Sequence, residues 1–474
     1  MRNLKTLMKI NYGIGQISDG VMHAAWTGFL VFYYHQVLGL PGKMAGLAAL
    51  LALVIDAVTD PMVGHLSDRL KSKFGRRHPL MLLGVLPFLL AMIALFSPPG
   101  GLSTWALFAW LLTFAILLRL ALTLFYVPHL SLGAEIEQDY HHKTSLIGYR
   151  IFFAYFGVLF VSVIGFMVFF PATAVYTNGL LNPAGYANFG LFCGLLAASA
   201  MLWCVFSTKS LIPSLSQPTE TINILSSLLA FMTLAKTLKL PSFRVLFFIL
   251  VMITTLAGVN STLMTYLGIY VFDFSAEEIG LINASIILGL LLASLIAQTL
   301  SKRYDKKKAL AVCLIVGSVV GFSPSFLYLA GFFEGIPWAV KFLLVFLANG
   351  ISQAFFIALI ILLESMLSDC IDVNEYQTGM REEGVFFAAR SFATKASFGL
   401  GSFFAGVALD IVALPQGAKP EDVAPETAWE LAFFTGPIMA CLFLSVYFLI
   451  RLYDLDAKRH KEIMTEMAAA KSRL

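Results

Sequence analysis

Residues 44–77 read MAGLAALLALVIDAVTDPMVGHLSDRLKSKFGRR, an apolar run that contains two acids and ends in a basic cluster. The apolar part, 44–66, has the ~20 residues that an α-helix needs to cross the hydrocarbon core of a bilayer. A basic cluster directly after such a run is typical of a cytoplasmic loop. The stretch therefore predicts a transmembrane helix followed by an internal loop.

The composition of the whole chain agrees with a membrane protein. Of its 474 residues, 59% are hydrophobic and 13% are charged, whereas soluble domains have ~45–50% apolar and ~25% charged residues. These values exclude a set of soluble catalytic domains and a disordered chain. A net charge of +4 is too small for a nucleic-acid binder, and five scattered cysteines indicate neither disulfides nor a metal cluster.

Apolar segments of this length recur along the chain, and a polar stretch, 209–242, separates the first six from the last six. We predict an all-α membrane protein of twelve transmembrane helices in two six-helix bundles. Its parts are a six-helix bundle 1–208, a central cytoplasmic loop 209–242, a second bundle 243–453 and a cytoplasmic tail 454–474. The candidate spans are 11–37, 44–66, 78–97, 104–132, 146–170, 187–208, 243–272, 278–300, 309–331, 337–363, 384–413 and 428–451.

The placement of Lys and Arg predicts that both termini are cytoplasmic. The short basic start of the chain has no small-residue cleavage site after it, which favours a cytoplasmic tail over a signal peptide. We expect an integral multi-pass protein of the cell membrane, in contact with its lipids. The densest basic groups follow the second and eighth spans, namely Arg69, Lys71, Lys73, Arg76 and Arg77, and Lys302, Arg303, Lys306, Lys307 and Lys308.

Ionisable residues inside spans are the main candidates for function, because each costs at least ~2.5–3.5 kcal/mol on insertion scales. Three are acidic and three are basic, so pairing within the bundle is the structural explanation for any one of them. The six are Asp19, Asp56, Asp60, Arg119, Arg390 and Lys395.

The second span has the most specific group. Asp56 and Asp60 are four residues apart and share one helix face, with the hydroxyl of Thr59 beside them. Two adjacent carboxylates in a low dielectric repel each other, and a bound cation or a shared proton removes that repulsion. Oxygen ligands alone favour an alkali cation over a transition metal. The alternative is a pair of acids neutralised by Arg119 or Arg390.

The fourth span carries Arg119, Thr123 and Tyr126 on one stripe, spaced i, i+4 and i+7. Arg119 either neutralises the acids of the second span or meets an anionic group of a substrate. Thr123 is a candidate for one more cation oxygen if it faces the second span.

Two further spans have candidates for a substrate cavity. Asp19 and His23 lie one turn apart in the first span, where they either line the cavity or are hydrated at the cytoplasmic end. Arg390 and Lys395 lie in the eleventh span among small residues that permit close helix contact. An intramembrane enzyme is disfavoured, because Asp19 and His23 have no evident Ser or Cys partner.

The loop after the second span follows a G-xxx-D-R…G-R-R pattern. The acid of this loop can form an ion pair across the cytoplasmic boundary between helices. Its arginines can bind neighbouring helix ends, and together these contacts predict a cytoplasmic gate. The simpler explanation is positive-inside charge alone. The residues are Gly64, Asp68, Arg69, Gly75, Arg76 and Arg77.

Twelve spans together with this loop resemble the major facilitator superfamily. The motifs DAVTDPMVG (56–64), YVPHLSLGAEI (126–136) and MLSDCIDVNEYQTGMREEG (366–384) are similar to those of its glycoside–pentoside–hexuronide:cation symporters, the melibiose-permease type. The resemblance covers nearly the whole chain. It implies cation-coupled symport of a sugar or glycoside by alternating access, with Na⁺ or H⁺ as coupling ion, no cofactor and a monomeric carrier.

The resemblance also implies roles for single residues. Asp56, Thr59, Asp60 and Thr123 match the cation site of that family, with Thr59 in place of an amide. Arg150 matches a polar residue of the cavity, as does Lys395.

The sugar positions of the family are changed in this chain. Gly20 and Tyr126 stand where the family has carboxylates, and Leu130 and Ile360 stand where it has tryptophans. A related branch carries lysophospholipids with sodium. The alternative function is therefore cation-coupled transport of lysophospholipids or other amphiphilic anions.

Overall fold

A computed structural model describes residues 6–136, 140–214, 237–380 and 382–471. All the regular elements in these ranges are helices, as the sequence predicts. The α-helices are α1 Thr6–Ile14, α2 Ile17–Ala25, α3 Gly42–Arg69, α4 His78–Phe96, α5 Thr104–Ile136, α6 Tyr140–Ile164, α7 Ala184–Thr208, α8 Pro241–Tyr270, α9 Ala276–Ala284, α10 Ile286–Arg303, α11 Lys306–Leu329, α12 Trp338–Thr378, α13 Glu383–Ile411, α14 Pro425–Phe433, α15 Met439–Leu452 and α16 Ala457–Lys471.

Eleven helical segments in the described part of the chain are long and apolar enough to cross a membrane. The predicted first span, 11–37, differs, because it is built from shorter pieces. The chain turns at Gly15, where the helix between α1 and α2 is interrupted. After α2 it continues through two π-helical turns, Trp26–Leu30 and Tyr33–Val37. Glycine has a low helix propensity and explains the first break, while π turns are frequent at functional sites.

The described residues form two compact units. The first contains 6–136 and 140–214, and also two later segments, 264–280 and 402–424. Polar contacts hold these segments to it. The Asp410 carboxylate accepts from the backbone N–H of Gly42 at 2.8 Å, and the Tyr270 hydroxyl lies 3.1 Å from the side-chain oxygen of Gln36.

The second unit contains 237–263, 281–401 within the described ranges, and 425–471. The Lys306 ammonium donates to both carboxylate oxygens of Asp369, at 2.6 and 2.8 Å, which joins the start of α11 to α12. The predicted central loop 209–242 lies mostly outside the described residues.

Helix α12 extends well past the predicted span 337–363. It ends only at Thr378, where Gly379 adopts a left-handed conformation with φ of 72°, as is common at helix C-termini. The tail forms α16, which packs against this extension. His460 Nε2 lies 3.1 Å from a carboxylate oxygen of Asp372, so the tail is a docked helix.

Candidate functional site

The acids of the second span meet the hydroxyl of Thr123 in the first unit. Thr123 Oγ1 lies 2.7 Å from Asp56 Oδ1 and 3.0 Å from Asp60 Oδ1. Asp56 and Thr123 are buried, with 3% and 2% of their surface exposed, and Asp60 is half-buried. A hydroxyl has one proton to donate, so Thr123 cannot donate fully to both acids at once.

Helix geometry explains why these groups converge. Asp56 and Asp60 are one turn apart on α3 and therefore present their carboxylates to the same neighbour, and α5 brings Thr123 between them. Gly64 lies one further turn along α3, next to α5, where a Cβ would be in ordinary van der Waals contact with Val127 at 3.4 Å.

Thr59 is placed differently from the other three. Its hydroxyl donates to the backbone carbonyl of Asp56 at 3.2 Å. The proton is therefore used within α3, as is usual for a threonine in a helix, while the lone pairs of the oxygen are available to a cation.

Arg119 lies one turn from Thr123 on α5 and faces the other oxygen of Asp56. The distance from its NH1 to Asp56 Oδ2 is 3.7 Å. Its guanidinium carbon lies 4.3 Å from the ring centroid of Trp26, a cation–π contact. The charge on Arg119 also interacts with Asp19 and Asp60, so Arg119 serves as counter-charge to three acids.

The first span adds Asp19 and His23 to this group. Asp19 Oδ2 accepts from Gln16 Nε2 at 3.1 Å, and the His23 side chain is exposed. Tyr126 lies on α5, three residues after Thr123, and its side chain is half-buried.

Arg150 lies on α6 and interacts with the hydroxyl of Tyr12. That hydroxyl donates to the backbone carbonyl of His129 at 3.2 Å. Arg150 therefore links α6 to α1 and α5 at the edge of the polar group.

The second unit places Arg390 and Lys395 on α13. Arg390 forms an ion pair with Glu364 of α12, and Lys395 is half-buried. Glu364 is not among the predicted site residues, because the hydropathy of its span ends at residue 363. One signal in the sequence points to Glu364. It is a charged residue directly after a long apolar run, four residues before Ser368 of the motif 366–384.

An open pocket lies beside this ion pair. Its walls come from the first turns of α8 and the middle of α12, and they are apolar apart from the pair itself. The lining residues are Phe243, Leu246, Phe247, Leu250, Ile360, Leu363, Glu364, Leu367 and Arg390.

The predicted gate is an ion-pair cluster between α3, α4 and α5. Arg77 is buried and pairs with Asp68 at 3.1 Å and with Glu135. Arg76 also pairs with Glu135 and donates to the backbone carbonyl of Asp68 at 3.2 Å. Gly75 turns the loop with φ of 74°, a conformation that favours glycine.

One further residue of the gate pattern and one partner outside it belong to this cluster of helix ends. Arg69 is the last residue of α3 and is half-buried. Glu135, the shared acid, is the penultimate residue of the YVPHLSLGAEI motif and is absent from the predicted set. Glu135 lies near the end of α5, and only the folded structure brings it next to the two arginines that precede α4.

The fold agrees with the comparison to known families. Residues 11–457 match the family described as MFS/sugar transport protein, where MFS is the major facilitator superfamily. The chain belongs to this family. It is therefore a multi-pass membrane transporter of small molecules and not an enzyme.

Relatives in the MFS/sugar transport family are similar over almost their full lengths. The putative glycoside/cation symporter YagG of Escherichia coli is 26% identical, with 98% of this chain and 96% of that protein covered. The putative sulfoquinovose importer of Salmonella typhimurium is 25% identical, with 98% and 93% covered.

A solved structure shows the same fold. The bacterial homologue of the human lysosomal transporter Spinster, in an inward-facing and unoccupied conformation, has a TM-score of 0.64 at 12% identity, with 94% of this chain and 96% of that chain covered.

Proposed function

We propose that the chain is a cation-coupled symporter of a sugar or glycoside that works by alternating access. The coupling ion is Na⁺ or H⁺, bound by Asp56, Asp60 and Thr123 with the oxygen of Thr59 close by, and no other cofactor takes part. The carrier acts as a monomer in the cell membrane, among lipids and without nucleic-acid partners, and both termini are cytoplasmic.

One observation carries the proposal, namely the shared position of the Thr123 hydroxyl. It lies within hydrogen-bond distance of one oxygen from each of two carboxylates, and its single proton satisfies only one of them. A proton on an acid, or a cation between the oxygens, completes the arrangement. Because all the ligands are oxygens, an alkali cation or a proton fits the site better than a transition metal.

Coupling follows from differential affinity. A ligand shifts a conformational equilibrium only by the difference in its affinity for the two states, so the cation must stabilise the state that binds substrate. In this proposal Asp19, His23 and Tyr126, on α2 and α5, contact the substrate next to the cation ligands, and the two bound ligands are coupled electrostatically. Arg150, Arg390 and Lys395 are the further cavity residues in this proposal.

The names of the relatives support a sugar as substrate. YagG is named a putative glycoside/cation symporter and the Salmonella relative a putative sulfoquinovose importer. A relative in Lactiplantibacillus pentosus is named an isoprimeverose transporter.

Uptake by proteoliposomes tests the proposal. A panel of labelled sugars and glycosides is offered with an inward Na⁺ gradient, an inward H⁺ gradient or neither, and we expect one gradient to drive accumulation. Asp60→Asn should abolish accumulation, whereas Asp422→Asn, in an exposed loop, should leave it unchanged. Full gradient-driven uptake by Asp60→Asn would overturn the coupling role.

The pocket of the second unit favours a second candidate. Its apolar walls and the guanidinium of Arg390 suit an acyl chain and a phosphate, so lysophospholipids or other amphiphilic anions are the alternative substrates. Labelled lysophospholipid belongs in the same uptake panel. Gradient-driven uptake of lysolipid without uptake of any sugar would select this alternative.

A further inference from the structure

Arg119 is held by few contacts for a buried ion. Only 8% of its surface is exposed, and its ion pair to Asp56 has a distance of 3.7 Å, longer than a hydrogen bond. Its Nε–H has no hydrogen-bond partner among the described residues. Burying a charged group without full hydrogen bonding is costly, so the guanidinium is poised to move to better partners.

Arg119 and a cation would compete for the same charge. Asp56 presents Oδ1 to Thr123 and Oδ2 to Arg119, and these two residues are one turn apart on α5. A cation held between Asp56 and Asp60 neutralises the carboxylate that now attracts the guanidinium. Since two positive charges on one carboxylate repel each other, cation binding weakens the hold on Arg119.

A second set of partners lies beside Arg119 on the first span. Asp19, His23 and Trp26 are spaced i, i+4 and i+7 and therefore share one face of the helical segment. Arg119 lies over the Trp26 ring and also interacts with Asp19. The Trp26 Nε1–H is buried and, like Arg119 Nε–H, has no partner among the described residues. The Arg119 Nε–H and the Trp26 Nε1–H are therefore both available to donate beside the aromatic ring of Trp26.

We infer that Arg119 couples the cation site to the substrate site. Without a cation, its guanidinium neutralises Asp56. With Na⁺ or H⁺ bound, it is released from Asp56, stays against the face of Asp19, His23 and Trp26, and donates to the substrate there. The two donors, Arg119 Nε–H and Trp26 Nε1–H, select a sugar or glycoside that carries one acidic group, a carboxylate or a sulfonate. The inference rests on the proposed cation coupling.

The test compares Arg119→Gln and Arg119→Lys with the wild type in purified, detergent-solubilised protein. Isothermal titration measures the affinity for the coupling cation, and then the affinity for a uronide or sulfonated sugar and for its neutral analogue, with and without that cation. The wild type should bind the acidic sugar at least tenfold more tightly when the cation is present.

Arg119→Gln should bind the cation at least as tightly as the wild type, because the competitor is gone. It should lose both the cation effect on sugar affinity and the preference for the acidic sugar, while Arg119→Lys should keep part of both. Thermal unfolding of each variant shows whether it is folded. If Arg119→Gln is not, the comparison rests on Arg119→Lys. Because Arg119 lies over the Trp26 ring, its release from Asp56 should change the tryptophan fluorescence when the cation binds. Trp26→Phe should remove this change.

The failure of this inference differs from the failure of the proposed function. If Arg119→Gln keeps the cation effect and the acidic preference, the role of Arg119 is wrong while cation coupling stands. If the wild type binds neither Na⁺ nor H⁺ and sugar affinity is independent of both, the proposed coupling itself is wrong.

Discussion

Thr123 and Asp56 join α5 to α3 through a hydroxyl and a carboxylate oxygen that lie 2.7 Å apart with both side chains buried. A hydrogen bond to a charged group contributes ~1.5–3 kcal/mol. The contact therefore orders the carboxylate and contributes an oxygen to the proposed cation site, and each of these roles depends on the hydroxyl alone.

Replacing this hydroxyl with a methyl group should weaken the binding of the coupling cation. Thr123→Val keeps the shape but removes the oxygen, and we expect about a tenfold rise in the cation concentration for half-maximal uptake, since ~1.4 kcal/mol corresponds to a factor of ten. Thr123→Ser should stay close to the wild type. A wild-type cation dependence in Thr123→Val would exclude the hydroxyl as a ligand.

The ion pair of the second unit should make a measurable contribution to the stability of the protein. Arg390 and Glu364 are each about one-third exposed, at 33% and 34%, so solvent screening limits the pair to ~1 kcal/mol. Glu364→Gln should lower the thermal unfolding midpoint by a few degrees. The exposed pair of Lys419 and Glu421, at 4.0 Å, supplies the control, Lys419→Gln, which should have no effect.

A double-mutant cycle checks that the loss comes from the pair. Arg390→Gln combined with Glu364→Gln should cost less than the sum of the single changes, because the second change removes a charge that the first left unpaired. Additive costs would show that the two side chains act independently.

The sequence predicts the local part of the candidate site well, because helical periodicity is a local property. Spacing of four residues puts Asp56 and Asp60 on one face, and the same rule places Arg119 and Thr123 together on α5. The structure brings all four into one group, although the meeting of α3 with α5 does not follow from spacing.

Long-range partners are beyond such reasoning. Glu364 lies past the end of the apolar run, and only the continuation of α12 to Thr378 brings it level with Arg390. In the same way, Glu135 lies far from Arg76 and Arg77 in the chain, and its pairing depends on how α5 packs against α4. Hydropathy describes solvent preference and contains no information on which charged side chains meet.

Close packing of α2 against α6 predicts that Gly20 tolerates no side chain. A Cβ on Gly20 would lie 2.1 Å from the backbone oxygen of Ala154, and overpacking of this kind costs ~1–3 kcal/mol. Gly20→Ala and Gly20→Asp should both lower the thermal unfolding midpoint.

A matched glycine on α6 supplies the control for this prediction. A Cβ on Gly148 meets nothing within 4 Å, so Gly148→Ala should leave stability unchanged or raise it slightly, as expected for alanine in a helix. Equal losses from Gly20→Ala and Gly148→Ala would show that the close approach of α2 and α6 is not the cause.

The charge balance around Glu135 makes this acid the most sensitive point of the predicted gate. It is the shared partner of Arg76 and Arg77, and its side chain is 16% exposed. Glu135→Gln leaves two largely buried guanidinium groups with less negative charge, and removing one partner of a buried pair is strongly destabilising. We expect a loss of ~2 kcal/mol in unfolding free energy and a slower transport rate.

The control is Lys71→Gln, an exposed change of one charge in the same loop. It should leave both the unfolding midpoint and the uptake rate unchanged. If the basic residues act only as positive-inside charge, Glu135→Gln and Lys71→Gln should have similarly small effects, because topology depends on the number of Lys and Arg and little on acids. A large effect confined to Glu135→Gln would favour the gate, since only the ion-pair cluster distinguishes the two positions.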